Sequence, residues 1–312
     1  MCGIVGYIGE QDATPIILSG LKRLEYRGYD SAGVAVLDNG NIEIRRDAGK
    51  LNHLEALVRN TPIHGKIGIG HTRWATHGEP NERNAHPHLS STGEFVVVHN
   101  GIVENYLTLR EELAAEGTVF NSDTDTETIV HLVEKFHASG VSLVAAVQQT
   151  LQQLKGAHGI VVMSSLEPDK IVAARVGNAG GVVIGLGEGE NFVASDLPAI
   201  LEHTRQVVFL ESHQMAVITR QGVAVFGLDG QAVDFQVQNI SWDPVAAEKG
   251  AYRHFMQKEI HEQVRSLTDT LAGRVDFDEG RVMLHELNLD ARKAREIHKI
   301  IITACGTAAH AG

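Results

Sequence analysis

The stretch Met-Cys-Gly-Ile-Val-Gly-Tyr-Ile-Gly, residues 1–9, decides how this sequence folds. Residues 4–8 form a short apolar run bounded by glycines, which predicts a buried strand that begins directly after Cys2. If Met1 is removed, Cys2 carries a thiol and a free amine on one carbon. An α-amine has a pKa of about 7.7–8.0, so it can take up the thiol proton near neutrality. Taken alone, the nine residues favour the simpler interpretation that Cys2 only precedes a strand.

Composition narrows the classes of protein to which the chain can belong. Its 312 residues, 43% of them hydrophobic, suffice for one large core or two, and two domains are the better expectation. The net charge of −12, without a basic block, argues against a nucleic-acid partner and for small molecules. The only two cysteines, Cys2 and Cys305, lie at opposite ends, so we expect no disulfide framework. No apolar run approaches the roughly 20 residues that span a bilayer, and no signal peptide precedes Cys2, which predicts a cytoplasmic protein without a membrane partner.

The first part of the chain contains many short apolar strands and a few amphipathic helices. An Asn39-Gly40 turn predicts a hairpin. Helical spacing is present at 15–24, 51–58, 129–136 and 143–154, and strand-like runs are present at 34–37, 42–45, 67–70, 95–98, 160–163, 171–174, 182–184, 192–194, 207–210, 216–218 and 223–226. Because the order is strands, then helices, then strands, we expect an α+β fold of antiparallel sheets covered by helices.

Polar and aromatic segments follow several of these strands. Residues 71–80 and 84–88 are typical of a ligand-binding loop, although a solvated connection has the same composition. Asn100-Gly101 predicts either a tight turn or an oxyanion hole, made by the Asn100 amide and the Gly101 backbone N–H. Three polar side chains precede the helical stretch at residues 129–136, and two of the three are expected to cap that helix. The three are Ser122, Asp123 and Asp125.

The end of the chain is organised differently. Apolar periodicity lapses from residue 227 to about residue 249, which indicates an interdomain linker. Residues 255–271 show helical spacing, and residues 299–307 predict a strand that runs into a Gly306-Thr307 turn. Such a turn resembles the opening of an α/β phosphate-binding unit, which one turn supports only weakly. A domain that has only begun its first strand cannot bury a core, so we expect the chain to be part of a longer protein.

Four separated motifs resemble the class II glutamine amidotransferases, a family with an N-terminal nucleophile. In chain order they are Cys2-Gly-Ile-Val-Gly, His71-Thr-Arg-Trp-Ala-Thr-His-Gly, His99-Asn-Gly and Thr124-Asp-Thr-Glu. Three more segments resemble the members of that family that aminate fructose 6-phosphate to glucosamine 6-phosphate: Leu24-Glu-Tyr-Arg-Gly-Tyr-Asp-Ser-Ala-Gly, Tyr252-Arg-His-Phe-Met-Gln-Lys-Glu-Ile and Ala304-Cys-Gly-Thr. The resemblance implies a four-layer αββα sandwich for residues 1–240, a linker at 241–254 and the incomplete start of a sugar isomerase domain at 255–312.

The resemblance also implies the roles of individual residues. Cys2 would attack the γ-amide of L-glutamine with its own amine as the base, while Asn100 and Gly101 would bind the oxyanion. Arg73 would bind the glutamine α-carboxylate through two parallel hydrogen bonds, and Asp125 would bind the α-ammonium. Thr76 and His77 would contact glutamine in the pocket, and Trp74 would gate the passage of ammonia. His86 and Thr307 would lie on the sugar side.

In this interpretation the chain needs no metal and no organic cofactor. Its expected partners are glutamine, fructose 6-phosphate and, in the full-length protein, a second copy of itself in a dimer. Ala308 and Ala309 stand where relatives have serine and tyrosine, so we expect one hydroxyl donor to the sugar phosphate to be missing. Two alternatives stay open: an amidophosphoribosyltransferase and, if Met1 is retained, a non-catalytic module that binds glutamine.

Overall fold

The computed structural model describes residues 2–241, 252, 254–272, 274–276, 280–282, 291–304 and 306–312. The chain divides into two compact units, residues 1–248 and residues 249–312, and the first unit contains both large β-sheets. Across these described ranges, no helix has the length and apolar character needed to cross a membrane.

Two antiparallel sheets form the centre of the first unit. Their strands are β1 Gly3–Ile8, β2 Ser31–Asp38, β3 Asn41–Ala48, β4 Ile67–Arg73, β5 His88–Leu89, β6 Phe95–Gly101, β7 His158–Ser164, β8 Lys170–Val176, β9 Val183–Leu186, β10 Asn191–Ala194, β11 Gln206–Phe209, β12 Gln214–Thr219, β13 Val223–Gly227 and β14 Gln238–Asn239. The eight-stranded sheet has the order β14-β11-β9-β10-β1-β4-β2-β3, and the six-stranded sheet has the order β13-β12-β8-β7-β6-β5. β1 and β4 are therefore central strands with a neighbour on each side.

Helices cover the outer face of each sheet. They are α1 Ala13–Leu24, α2 Leu51–Asn60, α3 Tyr106–Ala115, α4 Glu127–Ala138 and α5 Leu143–Gln153. One apolar cluster joins α1 and α2 to the eight-stranded sheet, another joins α3, α4 and α5 to the six-stranded sheet, and a third fills the space between the sheets. This arrangement confirms the predicted αββα sandwich.

β1 is buried on both faces, which explains its uninterrupted apolar sequence. Ile4 and Ile8 pack between the sheets, whereas Val5 and Tyr7 pack on the helix side. Because successive side chains of a strand point to opposite faces, Cys2 continues the face of Ile4 and Ile8. The start of the first strand therefore presents the thiol to the space between the two sheets.

Two strands extend beyond the apolar runs that predicted them. β4 continues through His71 to Arg73 because β1 and β2 pair with it on either side. β6 continues to Gly101, which pairs with His158 of β7. The tight-turn interpretation of Asn100-Gly101 is therefore wrong. The hairpin prediction at residues 39–40 is confirmed, since both residues have positive φ and connect β2 to β3.

The start of α4 also differs from the prediction. Its N-cap residue is Thr126, whose side chain makes no capping hydrogen bond. The Ser122 hydroxyl donates to a carboxylate inside α4 at 2.6 Å, and the Asp125 carboxylate accepts from the Val103 N–H at 2.8 Å. The Asp123 carboxylate accepts from the Asn84 amide and pairs with an arginine. The capping prediction is wrong for all three residues because each side chain has another partner.

The second unit is described in part. α6 runs from Phe255–Leu271 as predicted, and the short elements are β15 Val275–Asp276, β16 Arg281–Val282, α7 Ala291–Arg295 and α8 Thr307–Ala311. Residues 299–304 have no regular secondary structure, so the strand predicted there is wrong for them. An isolated strand is unstable without neighbours to pair with, and no described residue pairs with this segment. Most of the predicted linker, residues 242–251 and 253, and Cys305 lie outside the described residues.

Candidate active site

Strand alternation gathers polar side chains between the two sheets. His71 and Arg73 of β4 lie on the strand face that packs between the sheets. Asn100 of β6 lies on the corresponding face of the other sheet. β1 pairs with β4 so that Cys2 lies beside the end of β4. The ends of three strands thus bring Cys2, His71, Arg73 and Asn100 to one site.

Cys2, Arg73 and Asn100 line a cavity of about 440 Å³. This volume lies within the range of small-molecule sites. The rest of the wall comes from Trp74, Thr76, His86, His99, Gly101, Ile102, Glu104, Thr126, Ala157, Asn178 and Ala179. Trp74 is 50% exposed, and its ring meets that of Tyr29 edge to face with a centroid distance of 5.6 Å. The cavity therefore combines a thiol, a cation and amide groups with an exposed aromatic side chain.

The backbone of Trp74 holds the Cys2 thiol. The Trp74 N–H donates a hydrogen bond to Sγ at 3.1 Å, and the thiol donates to the Trp74 carbonyl oxygen over 3.6 Å. Burial raises the pKa of the thiol, and the Asp30 carboxylate adds to this shift, whereas the Trp74 N–H and the Arg73 cation oppose it. A thiol with a raised pKa needs a base close by before its sulfur can attack.

Both ends of the Asn100 side-chain amide are occupied. Nδ2 donates to the Cys2 carbonyl oxygen at 3.1 Å, and Oδ1 accepts from His71 Nε2 at 3.0 Å. Gly101 follows with a φ of 133°, and a Cβ there would overlap the carbonyl oxygen of Ala157. Only glycine fits this backbone, and Gly101 lines the cavity next to Asn100.

Arg73 is a buried cation with unused hydrogen-bonding capacity. Arg73 is only 3% exposed. Its Nη2 donates hydrogen bonds to the carbonyl oxygens of His77 and Gly78, the latter at 3.1 Å. Nη1 is buried and has no hydrogen-bond partner in the part of the chain that the structure describes. Burial lowers the pKa of Arg73, and the nearby Asp30 carboxylate opposes this shift. A buried guanidinium with a spare N–H is suited to bind an anion.

The other predicted pocket residues take different positions. Thr76 is exposed and lies in the cavity wall. His77 gives its carbonyl oxygen to Arg73, while its ring packs against the first residue of α3. Asp125 is 4% exposed, and its neighbour Thr126, not Asp125 itself, lines the cavity.

The two predicted sugar-side residues belong to different units. His86 lines the cavity, stacks on His71 with a centroid distance of 4.4 Å, and has its Nε2 2.9 Å from Thr126 Oγ1. Thr307 is the first residue of α8 in the second unit. A sugar-side role for either residue stays a prediction.

A cluster of buried histidines surrounds the site, and sequence analysis assigned a role only to His86. Burial lowers the pKa of His71 to about 4 and that of His88 to about 3. Burial also lowers the pKa values of His86, His99 and His158. The missed signal is spacing, because His71 and His99 each stand two positions after a buried apolar strand residue. Within the described residues, no group of three or more His, Cys, Asp or Glu side chains is arranged to hold a metal ion.

A buried ion cluster lies in α4, next to the histidine cluster. His131 stands between Glu127 and Glu134, with nitrogen–oxygen distances of 3.4 and 3.7 Å. Burial acts to lower the pKa of His131, but the two carboxylates outweigh it and raise that pKa. Burial acts against both carboxylates, yet hydrogen bonds from His131 and from nearby backbone N–H groups lower their pKa values to about 2. The raised pKa of His131 and the low pKa values of the two carboxylates favour the charged forms of all three groups.

Comparison with known sequences gives one family and a consistent set of relatives. Residues 40–225 match the family model of the glutamine amidotransferase domain. A curated glutamine–fructose-6-phosphate aminotransferase (isomerizing) from Symbiobacterium thermophilum is 52% identical over 312 residues, and one from Caldanaerobacter subterraneus is 50% identical over 312 residues. Each match covers 100% of this chain and 51% or 50% of the relative. The chain thus spans about half the length of the curated relatives it matches.

Solved structures share the fold of the first unit. Glutamine phosphoribosylpyrophosphate amidotransferase from B. subtilis, complexed with ADP and GMP, has a TM-score of 0.63 and 25% identity over 73% of this chain and 49% of its own. A structure described as the allosteric regulatory enzyme of purine biosynthesis has the same TM-score, 0.63, and 26% identity over 73% of this chain and 49% of its own. A glutamine aminotransferase class-II domain protein from Silicibacter pomeroyi, at 16% identity and a TM-score of 0.50 over 73% of this chain and 99% of its own, matches in fold alone.

Proposed function

The chain belongs to the class II glutamine amidotransferases, and on this premise we propose that it is the glutamine-hydrolysing half of a glutamine–fructose-6-phosphate aminotransferase. The complete enzyme would transfer the amide nitrogen of L-glutamine to fructose 6-phosphate and release glutamate and glucosamine 6-phosphate. Relatives of that name, 45–52% identical across the whole chain, support this acceptor. Since the chain spans only 51% of the first of these relatives, we expect it to hydrolyse glutamine and not to make amino sugar.

One observation carries the proposal: Cys2 with its thiol, Arg73 with its guanidinium and Asn100 with its side-chain amide line the same cavity. The guanidinium of Arg73 can bind the α-carboxylate of a free amino acid through its unused Nη1. The thiol of Cys2 can then attack the amide at the far end of the same molecule. Free glutamine carries both an α-carboxylate and a side-chain amide, and the family of the chain favours it as the substrate.

Cys2 is the proposed nucleophile. Once processing frees its α-amine, the amine takes the thiol proton and the sulfur forms a bond to the carboxamide carbon of glutamine. The tetrahedral intermediate collapses as the carbon–nitrogen bond breaks, and the α-ammonium returns its proton to the departing ammonia. Water then hydrolyses the thioester, which releases glutamate and restores the thiol. The raised pKa of the Cys2 thiol supports the need for this adjacent base.

Asn100 and Gly101 are the proposed donors to the oxyanion. Asn100 Nδ2 carries two hydrogens, and one of them is used by the Cys2 carbonyl oxygen. The second hydrogen remains for the negative oxygen of the tetrahedral intermediate. The Gly101 N–H would supply the other hydrogen bond, and the requirement for glycine at this position supports that role.

The remaining assignments complete the proposal. Asp125 would bind the α-ammonium through the carboxylate oxygen that Val103 does not use. Trp74 would gate the passage of ammonia, which its exposure and its contact with Cys2 support. The other proposed contacts are Thr76 and His77 to glutamine and His86 and Thr307 on the sugar side. We also propose a cytoplasmic location and a homodimer for the full-length protein.

The test of the proposal is glutamate release by the 312-residue chain with its amino terminus defined by intact-protein mass spectrometry. We expect the form that begins at Cys2 to hydrolyse glutamine and the form that retains Met1 to be inactive. Cys2→Ala should abolish glutamate release and preserve glutamine binding. Cys305→Ala, which removes the only other cysteine, is the matched control and should keep full activity. Full activity of Cys2→Ala would contradict the proposal.

Two alternatives predict other outcomes. A non-catalytic glutamine-binding module would bind glutamine in calorimetry and release no glutamate in either form. An amidophosphoribosyltransferase, which the likeness to the B. subtilis structure keeps open, would require phosphoribosyl diphosphate as the acceptor in the full-length protein. Assaying full-length protein with each acceptor separates it from the aminotransferase, because only one acceptor should consume the ammonia.

A further inference from the structure

We infer that His71 is a positioning residue that fixes the orientation of the Asn100 side-chain amide, so that its N–H₂ end faces Cys2. The inference rests on the proposed glutamine hydrolysis and adds a residue to it. His71 is fully buried, is not among the residues that line the cavity, and is hydrogen-bonded to Asn100, which lines it. Its proposed effect on the reaction passes through Asn100 alone.

An amide side chain can present either of its two ends to the same neighbour. Rotation by a half turn would exchange Asn100 Oδ1 and Nδ2 with little change in shape. The oxygen would then face the Cys2 carbonyl oxygen, and two acceptors would meet. The same rotation would direct Asn100 Oδ1, in place of an N–H, toward the position of the proposed oxyanion. The hydrogen bond at the other end of the amide therefore matters for the chemistry.

That other hydrogen bond has one possible direction. Asn100 Oδ1 has no hydrogen, so His71 Nε2 must donate across the 3.0 Å separation. The Cys2 carbonyl oxygen can only accept a hydrogen bond, so the N–H₂ end of the amide faces Cys2 and the oxygen end faces His71. The proton of the neutral ring therefore lies on Nε2, where it stabilises this orientation of the amide.

The surroundings of His71 hold its ring in this position. His86 stacks on it with a centroid distance of 4.4 Å and an angle of 22° between the ring planes. His86 is in turn bonded through Nε2 to Thr126 Oγ1 at 2.9 Å. β1 and β2 pair with β4 on both sides of His71, so its backbone has no freedom to shift. A rigid donor of this kind can impose one orientation on the amide.

The experiment compares two substitutions of similar polarity that differ in reach. His71→Gln can place an amide nitrogen near the position of Nε2, whereas His71→Asn is too short to reach Asn100. Loss of a buried hydrogen bond of this type lowers the ratio of the correct to the inverted amide orientation by about tenfold. We expect kcat for glutamine hydrolysis to fall by up to about tenfold in His71→Asn, to stay closer to wild type in His71→Gln, and KM to change little in both.

Two further measurements separate positioning from damage to the fold. The rate of Cys2 alkylation by iodoacetamide, which uses no oxyanion donor, should be the same in wild type and in His71→Asn. In an Asn100→Ala background, His71→Asn should cause no further loss of kcat, because its effect passes through the missing amide. Equal kcat values for the two His71 variants, or additive losses with Asn100→Ala, would overturn the inference. Absence of glutamate release by the wild type would instead contradict the proposed function itself.

Discussion

Acidification should destabilise the first unit through its buried histidines. Each histidine with a lowered pKa stays neutral in the folded chain and becomes protonated only on unfolding. The unfolded state therefore binds more protons below about pH 6.5, and the free energy of unfolding falls as the pH falls. For His71, with a folded pKa of about 4, the loss at pH 5.5 is about 1.4 kcal/mol.

The combined effect should be large. His71 and His88, whose folded pKa values are about 4 and about 3, together remove about 3 kcal/mol between pH 7.5 and 5.5. The lowered pKa values of His86, His99 and His158 act in the same direction, and the raised pKa of His131 acts in the opposite direction. A loss of about 3 kcal/mol is a large share of the stability of a typical domain. Near pH 5.5 His71 and His88 alone should contribute about two protons taken up on unfolding.

Urea unfolding followed by far-UV circular dichroism at pH 5.5 to 8 measures this loss. His88→Gln keeps a nitrogen near Nε2, which lies 3.1 Å from Thr124 Oγ1, and should lower the slope by about one proton. His53→Gln, at an exposed position, is the matched control and should leave the slope unchanged. A free energy of unfolding that stays constant within about 1 kcal/mol, with an unchanged m-value, would refute the reasoning.

Three other predictions concern single residues. Arg73→Lys should raise KM for glutamine by about 10- to 100-fold with a smaller change in kcat, because lysine lacks the spare planar N–H; an unchanged KM in steady-state kinetics would remove the carboxylate role. Gly101→Ala should lower the urea unfolding free energy by about 2 kcal/mol or more, since its φ is positive and Ala157 leaves no space; an unchanged midpoint contradicts this. His131→Gln should cost about 3 kcal/mol at pH 6 and less at pH 9, because stability from a raised pKa is complete below about 6.5 and lost as the pH rises through the folded value. An equal cost at both pH values in urea titrations would show that His131 is neutral in the fold.

Much of the fold could be predicted because its strands are buried. β1 and the central strands of both sheets carry apolar side chains on both faces, and these runs are visible without any partner. The ends of β4 and β6 could not be found in this way. There the side chains become polar, and only pairing with neighbouring strands keeps the backbone extended through Arg73 and Gly101.

The candidate site was recognised by motif and not by geometry. Cys2, Arg73 and Asn100 were selected together because they stand in separate motifs of one family, and they line one cavity. His71 belongs to the same motif but received no role, since its contribution depends on which end of a neighbouring amide it touches. Asp125 shows the limit of local pattern, because its place before a helix suggested capping and its carboxylate instead accepts from the Val103 N–H.

The position of β1 between two partner strands has a practical consequence for expression of this protein. β1 begins at the residue after Cys2 and pairs with β4 and β10, so the position of Cys2 along the strand is fixed. One extra residue inserted after Cys2 would turn the sulfur toward α1, and two would move it about 7 Å along the strand direction. Affinity tags therefore belong at the carboxyl end, or must be cut by a protease that leaves cysteine as the first residue.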